Sequence, residues 1–121
     1  MSLKARRQAQ RAGRLAEFFA ATSLRLRGWR IVARDWRCKQ GEIDLVARRG
    51  GVVAFIEVKR RDGWTAAADA VSLRQRQRIG RAAAFFLAQH PGLASLQPRF
   101  DAILIVPWRP PSHIRDAWRI D

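Results

Sequence analysis

Between residues 41 and 61 the chain reads GEIDLVARRGGVVAFIEVKRR, two apolar runs on either side of a glycine pair. Ile43, Leu45 and Val46 lead into Arg49-Gly50-Gly51, and Val52, Val53, Phe55, Ile56 and Val58 follow, which predicts a β-hairpin. Gly-Gly suits a two-residue loop, because both central residues of the favoured turn need positive φ. Counting outward from that loop sets Arg49 against Val52, Asp44 against Glu57 and Glu42 against Lys59. Side chains two apart on a strand point the same way, so three carboxylates and one ammonium are expected on one patch of one sheet face. Val53 and Phe55 precede Glu57 and Lys59 on that face, while Val52, Ala54, Ile56 and Val58 line the other, so the strand reads as covered on both sides.

The flanking pattern is helical. Residues 1–11 are basic and helix-compatible, with a frayed start expected. From Gly13 onward Leu15, Phe18, Phe19, Thr22 and Leu26 fall on one helical stripe, and Gly28 stands where a left-handed C-terminal cap belongs. Residues 29–37 alternate loosely around Ile31 and Val32 and predict a first strand. After a loop at 60–68, residues 70–90 predict a second helix with Leu73, Ile79, Ala83, Phe86 and Leu87 on one face and Arg74, Arg78 and Arg81 on others. Ser72 with Gln75 three residues later is a capping-box pattern. Pro91 and Gly92 stop that helix, and residues 99–106 form a fourth strand through Phe100, Ile103, Leu104 and Ile105. The tail, 107–121, is proline-rich and then a short strand or helical turn around Ile114 and Trp118. The order is helix, three strands, helix, strand, without internal repeats. Gly50-Gly51 opens into a strand rather than a helix, which excludes a phosphate-cradling loop there.

Length and charge narrow the class. A chain of 121 residues fits one domain with one real core. Its net charge of +14, from 24 Lys and Arg against 10 Asp and Glu, is the footprint of a polyanion binder, nucleic acid first and an acidic membrane surface second. No run approaches the length of a membrane span and the basic N-terminus lacks an apolar signal core, so no membrane segment and a cytoplasmic protein are expected. Cys38 is the single cysteine, which excludes an internal disulfide and a multi-cysteine zinc site and leaves a half-buried filler. His113, with no second His or Cys near it, reads as a surface residue; Asp101 reads as a strand-end charge or the partner of a nearby arginine.

The hairpin carries the candidate chemistry. Facing carboxylates at a desolvated strand end repel unless a proton or cation intervenes, and a divalent metal with oxygen ligands is the natural neutraliser. The alternative is a solvated strand end with a Glu42–Lys59 ion pair. Two of the chain's three glutamates, Glu42 and Glu57, lie in this hairpin, and Lys59 is one of three lysines among 21 arginines. A compact ammonium whose pKa can shift points to chemistry rather than bulk charge. Glu17, at the edge of the first helix's stripe, is either solvated or aimed at this patch. Arg60 and Arg61 beside Trp64 can grip phosphate and stack a base, or Trp64 packs over a sheet edge.

An Asp on the second strand and Glu-Val-Lys on the third, in the order αβββαβ, resemble the PD-(D/E)xK nuclease superfamily. Nearly the whole chain resembles the YraN family, whose members are similar to archaeal Holliday junction resolvases. The residues that carry this are Gly13, Glu17 and Ala20; Gly28-Trp29; Asp35-Trp36-Arg37; Gly41-Glu42-Ile43-Asp44-Leu45; Phe55-Ile56-Glu57-Val58-Lys59 with Arg61; and Arg99-Phe100-Asp101. The chain departs from the pattern in lacking the proline of the superfamily's name, and in having Gln75 and Arg60 where relatives carry Lys and Thr. The resemblance implies an α/β fold with a restriction-endonuclease-like αβββαβ core, a mixed sheet flanked by helices, in one domain with a C-terminal extension from residue 107. It implies a Mg²⁺- or Mn²⁺-dependent endonuclease on branched or structured DNA. Asp44, Glu57 and the Val58 carbonyl would hold the metal, Glu17 would be an outer ligand, Lys59 would orient the attacking water, and Glu42 would stand behind them or on a second metal. Arg37, Arg60, Arg61, Trp64, Arg74, Gln75 and Arg78 are the candidate nucleic-acid contacts, and a homodimer is one expected assembly. Two alternatives stay open: a DNA- or RNA-binding module that keeps the fold without turnover, and a scaffold that binds protein through Trp64, Trp108 and Trp118.

Overall fold

A computed structural model of the chain describes residues 2–60 and 71–119, the side chains of 8–12 excepted. The elements are α1 (Leu3–Leu26), β1 (Arg30–Cys38), β2 (Gly41–Arg49), β3 (Val52–Arg60), α2 (Leu73–Gln89), a 3₁₀ turn at Pro91–Leu93, β4 (Gln97–Ile105) and β5 (Ser112–Trp118). The strands form one mixed sheet in the order β1-β2-β3-β4-β5, with β3 and β4 parallel across the α2 crossover and the other neighbours antiparallel. This α/β arrangement is that of a restriction-endonuclease-like core with one added edge strand. No helix among the described residues is long and apolar enough to cross a membrane.

The hairpin keeps the expected register, from Arg49↔Val52 to Leu45↔Ile56. Its loop differs in detail: only Gly50 takes positive φ, at 56°, the φ pattern of a II′ turn rather than the I′ turn that needs it twice.

Each sheet face carries one helix. Ser2 caps α1 by accepting from the Ala5 N–H at 3.1 Å, and Gly28, at φ 88°, ends it while the Trp29 N–H closes onto the Leu24 carbonyl at 3.0 Å. The buried stripe is Ala16, Ala20, Ala21 and Leu24, of which Ala20, Ala21 and Leu24 pack on Leu45, Ala47, Ala54, Ile56 and Ile103. The expected stripe of Leu15, Phe18, Phe19, Thr22 and Leu26 is therefore the wrong face: Leu15 is 54%, Phe18 50%, Phe19 48% and Leu26 84% exposed. Positions 16, 20 and 24 have the same period as 15, 19, 22 and 26, and small side chains bring the helix backbone close to the sheet. On the other face α2 starts at the expected capping box, with Ser72 Oγ on the Gln75 N–H at 3.2 Å and Gln75 Oε1 on the Ser72 N–H at 3.3 Å. It buries Ile79, Ala82, Ala83 and Phe86 against Ile43, Val46, Val53 and Phe55, whereas Leu73 points to solvent. Cys38 is half-buried against this core. Gly41 makes the close approach possible, since a Cβ there would lie 3.2 Å from the Arg78 carbonyl oxygen.

The tail contributes more than expected. Residues 112–118 are a strand, and Trp118 is buried at 5% exposure, stacked on Phe100 at 5.6 Å, which removes it from any protein-binding surface. Fully buried Asp101 explains why β5 docks. Its carboxylate accepts from Arg99 Nε and Nη2 at 2.9 Å each and from the Asp116 N–H at 2.9 Å, and pairs with His113 Nε2 at 2.7 Å. His113 is thus a buried partner of Asp101 with a side chain only 4% exposed, not a surface residue. Burial alone would raise the Asp101 pKa, but the bonds from His113, Arg99 and Asp116 outweigh it and hold the carboxyl at about 2.

Candidate active site

The β2–β3 ladder stops at Leu45↔Ile56, one pair short of Asp44 and Glu57. There the side chain of Asp44 replaces the missing rung: its Oδ2 accepts the Val58 N–H at 2.8 Å. Asp44 and Glu57 also share a side-chain hydrogen bond, so the two carboxyls meet although the ladder ends before them; the single patch expected on one sheet face is not what forms, since Asp44 lines a cleft beside α1 and Glu57 one beside α2. Lys59 Nζ lies 3.2 Å from Glu57 Oε1, and both side chains are largely withdrawn from water, at 18% and 13% exposure. The Glu42–Lys59 ion pair offered as the alternative does not form. Glu42 Oε2 instead takes Arg37 Nε at 3.3 Å, its neighbour in the β1–β2 register, and Arg37 also reaches Asp35 at 3.4 Å.

Proton affinities record the cost of this arrangement. Burial first, and then the charge of Asp44, push the Glu57 pKa from 4.5 up to about 8, against the opposing pull of Lys59. Asp44 is also raised, chiefly by burial and in part by Glu42, despite the bonds from Val58 and Glu57. Glu17 is raised to about 7 by burial and by the charges of Asp44, Asp35 and Glu42, with Arg34 opposing. Of the two readings for Glu17, the structure selects the one aimed at the acidic patch. Its Oε1 is buried without a hydrogen-bond partner, facing a cleft of about 320 Å³ lined by Gly13, Arg14, Asp35, Arg37, Glu42 and Asp44.

Glu57 opens on the other side, into a small cleft of about 60 Å³ shared with Glu42, Gln75, Arg78 and Ile79. Glu42 lines both clefts. A divalent cation fits this donor set in part: Glu57, which holds a proton it would ordinarily lose, touches Asp44, whose pKa is also raised, and with an orphaned Glu17 oxygen they are a deficit of positive charge. Among the described residues no three His, Cys, Asp or Glu side chains converge closely enough to grip one ion. Asp44 and Glu57 could hold a metal directly, with Glu17 reaching it through water. Val58 takes part through its N–H, which anchors Asp44.

The candidate nucleic-acid contacts are scattered by comparison. Arg78 and Gln75 border the Glu57 cleft, though the Gln75 carbonyl is spent on the helix cap. Arg74 and Arg60 are exposed, Arg37 is engaged with Asp35 and Glu42, and Arg61 and Trp64 lie outside the described residues. Sequence reasoning gave no role to Asp35, which borders the Glu17 cleft in a left-handed conformation at φ 47°. Its signal was the Asp35-Trp36-Arg37 block.

The model of the uncharacterised protein family UPF0102 matches residues 16–105, which include every acid of this site. A UPF0102 protein of Paramagnetospirillum magneticum is 52% identical over 98% of this chain and 95% of its own length. One from Parvibaculum lavamentivorans is 51% identical over 92% and 84%, and one from Rhizobium johnstonii 45% identical over 93% of each. Matched by the family over residues 16–105 and by these relatives over nearly its whole length, the chain belongs to the UPF0102 family, also called YraN.

Proposed function

We propose that this protein is a Mg²⁺- or Mn²⁺-dependent endonuclease that hydrolyses phosphodiester bonds in DNA, with branched or structured DNA as its substrate class. The observation that carries the reading is the buried contact of Asp44 with Glu57, with the Lys59 ammonium on Glu57 at 3.2 Å. An aspartate, a glutamate and a lysine at one strand end are a metal-holding pair beside a cation suited to a phosphate whose charge grows in the transition state. A bound divalent ion would neutralise the acids, polarise the phosphate and lower the pKa of a water. Asp44 is fixed for its part by the Val58 N–H. Lys59 donates toward oxygens that gain charge, and Glu17 holds solvent in the larger cleft. The net charge of +14 supplies the general attraction for the phosphate backbone. Cutting two strands of one branched substrate calls for two such sites, which a homodimer would supply.

A second reading, a DNA- or RNA-binding module without turnover, draws on the lack of three converging ligand side chains among the described residues. Cleavage of a four-way junction and a plain duplex, with and without Mg²⁺, separates the two. Under the first reading Lys59→Arg lowers cleavage by about 10² while gel-shift affinity barely moves, because a planar guanidinium cannot occupy the place of a compact ammonium. Wild type that cuts neither substrate with either ion would leave the binding module standing.

A further inference from the structure

The wrong-face residues of α1 have a structural counterpart. Phe19 and Leu26 form one wall of an apolar groove of about 620 Å³, whose other wall is the segment from Ile105 to Pro111. Trp108 in that segment is fully exposed and takes φ 64°. It sits at the third position of a turn closed by the Arg109 N–H on the Val106 carbonyl at 3.2 Å, after Pro107, where a positive φ ordinarily selects Gly or Asn. A bulky aromatic held there costs on the order of 1–2 kcal/mol and gains no burial within the chain. Leu26, at 84% exposure, is similarly unused. Arg27 and Arg109 edge the groove, and among the described residues the other polar ones along it are Thr22 and Ser23 and no acid lines it.

We infer that this groove is a docking site for an acidic segment of another protein that carries a large aliphatic or aromatic side chain. The volume lies within the range of pockets that enclose a compact ligand, and the apolar walls take the side chain. Arg27 at the edge takes a carboxylate, and the hydrogen-bonded turn presents Trp108 as an anchor of the kind that dominates interface energetics. Charge argues against a second copy, which would set the same arginines of two +14 chains against each other. Shape argues against a flat lipid surface, which cannot fill a groove between a helix and a turn. The walls offer few polar groups to read a nucleobase. The inference does not depend on the nuclease reading.

The probe is a synthetic peptide rich in Asp and Glu with one Phe and one Leu, compared with the same peptide carrying Ser at those two positions. Binding is read at physiological salt by calorimetry, and by a blue shift of tryptophan emission. The first peptide is expected to bind and the Ser control to bind at least about tenfold more weakly, since bare charge attraction to a basic protein is screened. Trp108→Gly suits the φ of its position and should hold or raise the melting temperature while weakening the peptide about tenfold or more; Arg27→Glu should weaken it similarly. Equal binding of both peptides, binding unchanged in Trp108→Gly, or no binding at millimolar peptide would overturn the inference. So would concentration-dependent dimerisation, or anionic-vesicle binding, that Trp108→Gly abolishes.

Discussion

Glu57→Gln reads the electrostatics of the acidic site without any catalytic assay. In the folded chain Glu57 keeps its proton up to about pH 8, whereas a free glutamate loses it near 4.5. Between those values the native state binds more protons than the unfolded state, so stability falls as pH rises, and levels off above about 8. At 1.36 kcal/mol per unit the difference sets a ceiling of about 4 kcal/mol for Glu57 alone at pH 8. The charged groups that face it are Asp44, Lys59, Glu42 and, from α2, Arg78. Glutamine mimics the protonated acid: its amide N–H can donate to Asp44 while its oxygen still accepts from Lys59, so the packing survives. With chelator present, wild type should melt progressively lower from pH 5 to 8. Glu57→Gln should match it near pH 5 and exceed it at pH 8, by roughly 10 °C for a domain of this size. Glu17→Gln should remove a smaller part of the slope, ending nearer pH 7. A flat wild-type profile, or the same slope in Glu57→Gln, would refute the picture of a proton-holding Glu57 beside Asp44.

Asp101→Asn should cost about 3–5 kcal/mol in denaturant unfolding, because Arg99 and His113 lose their shared carboxylate; wild type, with this carboxyl held at about 2, should lose roughly 2 kcal/mol as pH falls below about 4. Asp44→Asn keeps an acceptor for the Val58 N–H, so the fold should persist while calorimetric Mg²⁺ or Mn²⁺ binding, weak in wild type, disappears. DNA affinity should fall by roughly 10³ between about 50 and 200 mM salt for a footprint of about six phosphates, and a flat gel-shift response would discard a polyanion-binding role.

The site was legible because a hairpin converts sequence spacing into spatial register. Once Gly50-Gly51 fixes the loop, the register follows as far as Leu45↔Ile56, and Asp44 and Glu57, just beyond its end, still touch. Capping was equally local: Ser72 with Gln75, and Gly28 after Leu26, announce helix ends by their own chemistry. What failed was long-range. Nothing in the period of α1 says that the alanine face docks while Phe18 and Phe19 stay outside, since that choice depends on how closely the backbone must approach Ala47 and Ala54. His113 lacked a ligand-like neighbour in sequence, yet Asp101 reaches it across a strand pair. Glu42 meets Arg37 for the same reason, across the β1–β2 register, whereas Asp35 reaches Arg37 from two residues away on the same strand.

The ladder's early end gives Asp44 its place in this scheme. A carboxylate at a regular strand position projects from the sheet face and leaves the backbone to pair with itself. Here β2 and β3 part after Leu45 and Ile56, which exposes a backbone N–H at Val58 that must find an acceptor. Asp44 supplies it with Oδ2, and this orients the carboxyl toward Glu57 and Glu17 rather than toward bulk water. One hydrogen bond therefore closes the sheet and aims the acid. The same divergence opens the strand end to solvent on two sides, giving the Glu17 cleft and the Glu57 cleft with Glu42 between them. Under the proposed reading, a phosphate approaching this edge would meet Lys59 and the two acids, and a cation brought in with it would relieve the acids' repulsion and the phosphate's own charge together.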